Sequence, residues 1–126
     1  LMKVLLIIFF GGGAGSVTRY LLINYFNKVI PSTVPYGAML VNLFGALIIG
    51  IIYYLITTKL LLNEQLKIFL TIGFLGGFTT FSTFNLDFFK LIESGNLSLA
   101  IIYAIATFIG TITLFYMGYS FAKLIS

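Results

Sequence analysis

The sequence predicts an all-α membrane protein with four transmembrane helices, and two observations support this fold class. The first is composition: 60% of the 126 residues are hydrophobic and only 8% are charged, whereas about a quarter of a soluble domain is charged. The second is spacing, because charged and turn-forming residues separate four apolar segments, each long enough for a span of about 20 residues. At this length we expect a single domain, residues 1–126.

The four predicted spans are delimited by lysines, prolines and short polar turns. The loops between them are short, so we expect consecutive helices to pack as antiparallel neighbours. The spans cover about residues 3–25, 36–58, 67–90 and 97–122.

The third span contains a sequence that is unusual for a membrane helix. Two adjacent glycines, Gly76 and Gly77, are followed by the hydroxyl-rich run Thr79-Thr80-Phe81-Ser82-Thr83. Glycine weakens a helix, and lipid tolerates irregular backbone only where protein covers it or where it lines a polar cavity. We therefore predict a broken third helix, with freed backbone groups beside hydroxyls. The alternative is that the glycines only let a neighbouring helix pack closely.

Polar side chains inside the other spans are candidates for an ion pathway. Asn42 lies well inside the second span, and Tyr103, Thr107 and Thr111 recur every four residues in the fourth, which places them on one helical stripe. Amide and hydroxyl groups can donate to an anion without a charge that would trap it. Asn42 can instead link two helices, a contact worth about 0.6 kcal/mol, and each threonine can bond back to its own helix.

Two phenylalanines and one arginine complete the candidate set. Phe81 and Phe84 are three residues apart, on one face of the third helix after the predicted break. Such rings usually pack against protein or lipid, but the edge of an aromatic ring is positive and can meet an anion. Arg19, deep in the first span, can either extend to the membrane interface or supply positive potential at a pore mouth.

The composition also excludes several functions. The chain has no histidine and no cysteine, and it shows no paired carboxylates, so we do not expect an enzyme or a transition-metal site. The basic residues are scattered and sit mostly at span ends, so we do not expect nucleic-acid binding.

The lysines give only a weak signal for orientation in the membrane. Four of them flank the spans on the side of the termini and two on the other side, a small bias under the positive-inside rule. A weak bias permits insertion in both orientations, which an antiparallel homodimer requires, although a uniform orientation is the alternative. The two groups are Lys3, Lys59, Lys67 and Lys123, and Lys28 and Lys90.

Residues 73–84 (GFLGGFTTFSTF) resemble the signature of the small four-helix fluoride channels, the Fluc or CrcB family. Two further blocks support the resemblance: GGGAG at 11–15, followed by Arg19-Tyr20, and NLFG at 42–45. The three blocks occur in the family's order and together reach across essentially the whole chain.

The resemblance implies a fluoride-selective channel of the cell (inner) membrane, which exports fluoride passively and so protects against its toxicity. It further implies an antiparallel, dual-topology homodimer in the bilayer, with two pores. A structural sodium ion, Na+, would lie at the dimer centre, coordinated by the backbone carbonyls of Gly76 and Thr79. Apart from the resemblance, Arg19 is our candidate for positive potential at a pore mouth, with extension to the membrane interface as the alternative. The implied anion pathway is Asn42, Phe81, Ser82, Thr83, Phe84, Tyr103, Thr107 and Thr111.

A small multidrug-type proton-coupled exporter is the alternative function, because it too is a four-span, dual-topology dimer. Such a transporter needs a membrane-embedded glutamate in its first helix. The first span of this chain contains no acidic residue, which argues against this alternative.

Overall fold

The computed structural model describes residues 1–59 and 63–126, and helices are its regular secondary structure. The prediction of an all-α chain with four helices long and apolar enough to cross a membrane is confirmed. The first, third and fourth of these helices extend beyond the spans predicted from the sequence. The side chain of Lys59, one of the lysines used to predict orientation, lies outside the described part. The four spans are Met2–Val29, Tyr36–Thr58, Glu64–Glu93 and Leu97–Ile125.

The spans contain six α-helical segments and two π-helical segments. The first span is α1, the second is α2 followed by a π-helical segment, the third is α3, a π-helical segment, α4 and α5, and the fourth is α6. Their bounds are α1 Met2–Val29, α2 Tyr36–Tyr54, the first π segment Leu55–Lys59, α3 Glu64–Ile68, the second π segment Phe69–Leu75, α4 Gly76–Phe78, α5 Phe81–Glu93 and α6 Leu97–Ile125.

The turn between α5 and α6 shows why the chain reverses direction there. Gly95 has a φ of 83°, a left-handed conformation that glycine adopts without strain. The N–H of Gly95 donates to Ile92 at 3.0 Å, and the N–H of Asn96 donates to Leu91 at 2.9 Å. These two bonds form a Schellman motif, which satisfies carbonyls at the end of α5.

Glycines form the contact between the first and third spans. A Cβ atom built at Gly15 would collide with the carbonyl oxygen of Phe74, and one built at Gly11 would lie 3.1 Å from the Cα of Gly73. On the third span, a Cβ atom at Gly77 would collide with the carbonyl oxygen of Gly12. Gly11 and Gly15 on α1 and Gly77 on the third span therefore allow the two backbones to come into direct contact.

The second and fourth spans also pack backbone to backbone. A Cβ atom at Gly50 would collide with the carbonyl oxygen of Phe115, and one at Gly118 would collide with that of Leu47. Small residues bring membrane helices this close because packing, rather than hydrophobic burial, drives their association in lipid. The two tight pairs, α1 with the third span and α2 with α6, leave a groove between them.

The third span departs from helical geometry two residues beyond the glycine pair. Thr79 has φ −92° and ψ 149°, and Thr80 has φ −153° and ψ 126°, both extended. Gly76 instead keeps helical angles of −62° and −36°. The threonines, and not the glycines, therefore carry the irregular backbone.

We predict that Gly15 and Gly13 respond in opposite ways to the same added methyl group. Gly15→Ala places a Cβ atom against backbone that cannot move aside, so we expect it to destabilise the protein by about 1–3 kcal/mol. At Gly13 a Cβ atom meets nothing within 4 Å, so Gly13→Ala should be neutral or stabilising by up to about 1 kcal/mol. Thermal unfolding in detergent measures both, and equal midpoints would contradict the packing described here.

Candidate functional site

An open groove of about 850 Å³ lies between α2, the third span and α6. Much of its wall is apolar, but polar residues from all three elements also line it. They are Asn42, Thr71, Thr79, Thr80, Thr107 and Thr111. The groove also brings together most of the site residues predicted from sequence: Asn42, Gly76, Thr79, Phe81, Phe84, Thr107 and Thr111.

Asn42 joins α2 to the irregular backbone of the third span. Its Nδ2 donates to the carbonyl oxygen of Thr80 at 3.2 Å, and its Oδ1 accepts from the N–H of Thr80 at 3.0 Å. The side chain is buried, with 9% of its surface exposed. The interpretation of Asn42 as a link between helices is confirmed. The second hydrogen on Nδ2 gives the amide a further donor, so a contact with an anion stays a prediction.

Side chains capture the N–H groups that would close a regular helix at this point. In an uninterrupted helix, the N–H groups of Thr80 and Thr83 would pair with the carbonyls of Gly76 and Thr79. Here the N–H of Thr80 donates to Asn42, and the N–H of Thr83 donates to the hydroxyl of Thr80 at 3.3 Å. The regular helical donors of the Gly76 and Thr79 carbonyls are therefore diverted.

These two carbonyls have the chemistry expected of a sodium site. Gly76 and Thr79 both line the groove, and Gly76 is exposed. Carbonyl oxygens are hard, neutral ligands that suit a hard cation. The residues present therefore fit the sodium ion that the sequence resemblance implies.

Arg19 contacts the third span rather than the groove. Its Nε donates to the carbonyl oxygen of Gly77 at 3.0 Å, and the hydroxyl of Ser16, one turn earlier on α1, lies 3.5 Å from the same oxygen. The expected effect of its charge at a pore mouth stays a prediction.

The hydroxyl stripe on α6 includes two buried groups without a partner. Tyr103 is 2% exposed and Thr107 is 7% exposed, and neither hydroxyl has a hydrogen-bond partner among the described residues. The Thr111 hydroxyl, in contrast, donates to the carbonyl of Phe108 at 3.1 Å. The back-bonding alternative therefore holds for Thr111 and not for Thr107. An unpaired buried hydroxyl costs about 1–3 kcal/mol, so a partner for either group would be stabilising, and of the two residues Thr107 lines the groove.

The two phenylalanine rings lie at the wall of the groove in different settings. Phe84 stacks on Tyr103 with a centroid distance of 5.4 Å and an interplanar angle of 19°, and on Phe88 at 6.3 Å and 21°. Phe81 is 72% exposed and lies 5.4 Å from Phe84 at an angle of 49°. Because stacking covers the faces of the Phe84 ring, the ring edge remains available for other contacts.

Comparison with known proteins identifies the family. Residues 6–119 match the family model described as CrcB-like protein, Camphor Resistance (CrcB). The chain belongs to the CrcB family.

Relatives of this CrcB chain carry the name "Fluoride-specific ion channel FluC". The one from Leptospira interrogans is 40% identical over 120 residues, which is 95% of this chain and 91% of the relative. The one from Phocaeicola vulgatus is 45% identical over 94 residues, 75% and 77% of the two chains. The one from Magnetococcus marinus is 38% identical over 115 residues, 91% and 94% of the two chains.

Three predicted pathway residues of this CrcB chain, Ser82, Thr83 and Tyr103, are not in the groove lining. Ser82 forms a hydroxyl–hydroxyl hydrogen bond of 2.9 Å with Thr80. Tyr103 lies behind Phe84, in a cluster with Leu91 and Ala100.

Sequence reasoning assigned no role to Thr80, which caps α5, accepts a hydrogen bond from Asn42 at its carbonyl and donates one to Asn42 from its N–H. A signal was present, because threonine is a preferred residue immediately before the first turn of a helix. Thr71 was also missed, and its hydroxyl bonds back to Lys67 within its own helix.

We predict that Asn42→Leu loosens the backbone at Thr80. The substitution removes both hydrogen bonds and leaves the N–H and carbonyl of Thr80 without these partners, so we expect a loss of about 1–3 kcal/mol in the free energy of unfolding. Thermal unfolding and amide hydrogen exchange at Thr80 measure the effect. Asn24→Leu, at an exposed position of α1, is the control. Unchanged exchange at Thr80 in Asn42→Leu would be incompatible with this assignment.

Proposed function

We propose that this CrcB protein is a fluoride-selective channel through which fluoride leaves the cell passively across the inner membrane, protecting it from fluoride toxicity. The observation that carries the proposal is the pair of buried, unpaired hydroxyls of Tyr103 and Thr107, beside a groove that also presents Asn42, Phe81 and Phe84. The names of its relatives support fluoride as the ion.

The donors of the proposed pathway are neutral, and this decides how the ion moves. Fluoride is small and tightly hydrated, so a selective pore replaces its water with several donors. The amide of Asn42 and the hydroxyls of Thr107 and Tyr103 supply such donors. Because none carries a positive charge, the ion binds weakly enough to be released. The remaining hydroxyls of the pathway are those of Ser82, Thr83 and Thr111.

Phe81 and Phe84 form the proposed narrow part of the pathway. Their ring edges carry partial positive charge and contact the anion where the hydroxyls are further away. The width between the packed rings, rather than charge, then excludes larger halides.

A second copy of the chain completes the pore in this proposal. The groove is open on one side and its wall includes polar groups, which lipid cannot satisfy. An antiparallel, dual-topology homodimer closes both grooves and forms two pores. The weak lysine asymmetry of the sequence supports insertion in both orientations.

A sodium ion at the centre of this dimer is part of the proposal. The carbonyls of Gly76 and Thr79 from two copies would supply four oxygen ligands. These carbonyls would hold the ion, and its positive charge would offset their dipoles. The diverted N–H groups of Thr80 and Thr83 support this assignment.

The observations do not favour the multidrug-type exporter. The first span, Met2–Val29, contains no aspartate or glutamate, so the proton-exchanging carboxylate of such a transporter has no counterpart. The chain also belongs to a different family, whose named relatives are ion channels.

Fluoride efflux from liposomes that contain the purified protein tests the proposed function directly. We expect fluoride, and not chloride, to leave the liposomes. Phe81→Ile and Phe84→Ile keep apolar bulk but remove the ring, so each should reduce fluoride flux at least about tenfold, which corresponds to about 1.4 kcal/mol. Phe89→Ile, at an exposed position of α5, is the control and should conduct normally. If both pathway variants conduct like the parent, the rings only pack.

Removing sodium tests the proposed cation site. With potassium or N-methylglucamine in its place, we expect a lower thermal midpoint of the dimer, because the carbonyls of Gly76 and Thr79 would then lack the sodium ion that offsets their dipoles. The comparison is made at constant ionic strength, which keeps general salt effects equal. A midpoint that does not depend on the cation would refute the sodium site.

Cysteine labelling in cells tests dual topology. The chain has no native cysteine, so Lys28→Cys introduces a single reactive thiol. We expect a membrane-impermeant reagent to label part of the population from outside, and the remainder only after permeabilisation. Lys123→Cys, at the opposite end of the chain, should divide in the same way. Labelling from one side alone would show a single orientation.

A further inference from the structure

We propose that Arg19 is a positioning residue, whose Nε–H bond to the Gly77 carbonyl orients the irregular backbone so that the Gly76 and Thr79 carbonyls face the groove. This inference deepens the proposed function and rests on it where fluoride flux is the readout. The charge of Arg19 at a pore mouth is the competing explanation.

The Gly77 carbonyl accepts hydrogen bonds from α1. In an uninterrupted helix it would pair with the N–H of Phe81, but extended residues separate α4 from α5. The first span provides donors to this oxygen, from Arg19 at 3.0 Å and Ser16 at 3.5 Å. These two residues are three apart and so share a face of α1.

The irregular backbone is held by two other spans. Asn42 on α2 binds both the N–H and the carbonyl of Thr80, which follows the irregular residue Thr79. Arg19 on α1 binds Gly77, which precedes it. The segment Gly77–Thr80 is therefore held at both ends. Of the two carbonyls assigned to sodium, that of Gly76 lies just before this segment and that of Thr79 lies within it.

Packing against α1 leaves the backbone of Gly77 little freedom to move. A Cβ atom there would collide with the carbonyl oxygen of Gly12 and lie 3.0 Å from the hydroxyl of Ser16. Because α4 lies directly on α1, the guanidinium reaches the carbonyl without an intervening side chain. A hydrogen bond from a charged donor is stronger than one between neutral groups, and it satisfies part of a cation that is costly to place inside a membrane span.

Three substitutions separate the hydrogen bond from the charge. The Nε2 atom of glutamine is as many bonds from Cα as the Nε atom of Arg19, so Arg19→Gln keeps a donor at the contact and loses the charge. Arg19→Lys keeps the charge but places a methylene group at that position. Arg19→Met keeps neither. Ser16→Ala removes the second, longer contact.

Fluoride flux at saturating fluoride is the first measurement. We expect Arg19→Gln to remain within about threefold of the parent, and Arg19→Lys and Arg19→Met to lose about tenfold or more, since neither has a donor at the position of Nε. Ser16→Ala should have a smaller effect than either. A role of charge predicts the reverse order, with Arg19→Lys close to the parent and a half-saturating fluoride concentration that depends on ionic strength.

Amide hydrogen exchange of residues 76–84 is the second measurement, and it does not require transport. We expect faster exchange in Arg19→Lys and Arg19→Met, and parent-like exchange in Arg19→Gln. Equal exchange in all three variants, or the reverse order of flux, would overturn the inference. A parent protein that passes no fluoride would refute the proposed function, while the exchange order would still decide the role of Arg19.

Discussion

Every backbone polar group within the bilayer needs a partner, and the structure of this protein depends on how that requirement is met at Thr79 and Thr80. Extended residues inside a membrane span remove regular helical hydrogen bonds. Asn42, the hydroxyl of Thr80 and Arg19 provide replacements from three different elements. The irregular segment is therefore stable because other spans come close enough to bind it.

Glycine makes this close approach feasible. The first span lies against the third through Gly11 and Gly15, with Gly77 on the opposite surface. A side chain at any of these positions would separate the helices and move the donors on α1 away from the irregular backbone. The glycines thus act on the site indirectly, by setting the distance between helices rather than by adopting unusual dihedral angles.

The groove combines polar groups with an open side, and this combination links the site to assembly. The hydroxyls of Tyr103 and Thr107 have no partner among the described residues, and Phe81 is largely exposed. The unpaired hydroxyls would be unfavourable in a membrane protein that functions alone. They are consistent with a proposed dimer in which a second chain closes the groove and an anion meets the hydroxyls.

The sequence by itself determined the membrane class, the four spans and most of the residues that meet in the groove, because hydropathy and helical spacing are local properties. It also marked the third span as irregular. Tertiary structure decided where the irregularity falls, at Thr79 and Thr80 rather than at Gly76, because the N–H of Thr80 donates to Asn42, 38 positions away. It likewise decided that Arg19 contacts Gly77, 58 positions away. Partners so distant in sequence are brought together only by helix packing, which no local pattern records.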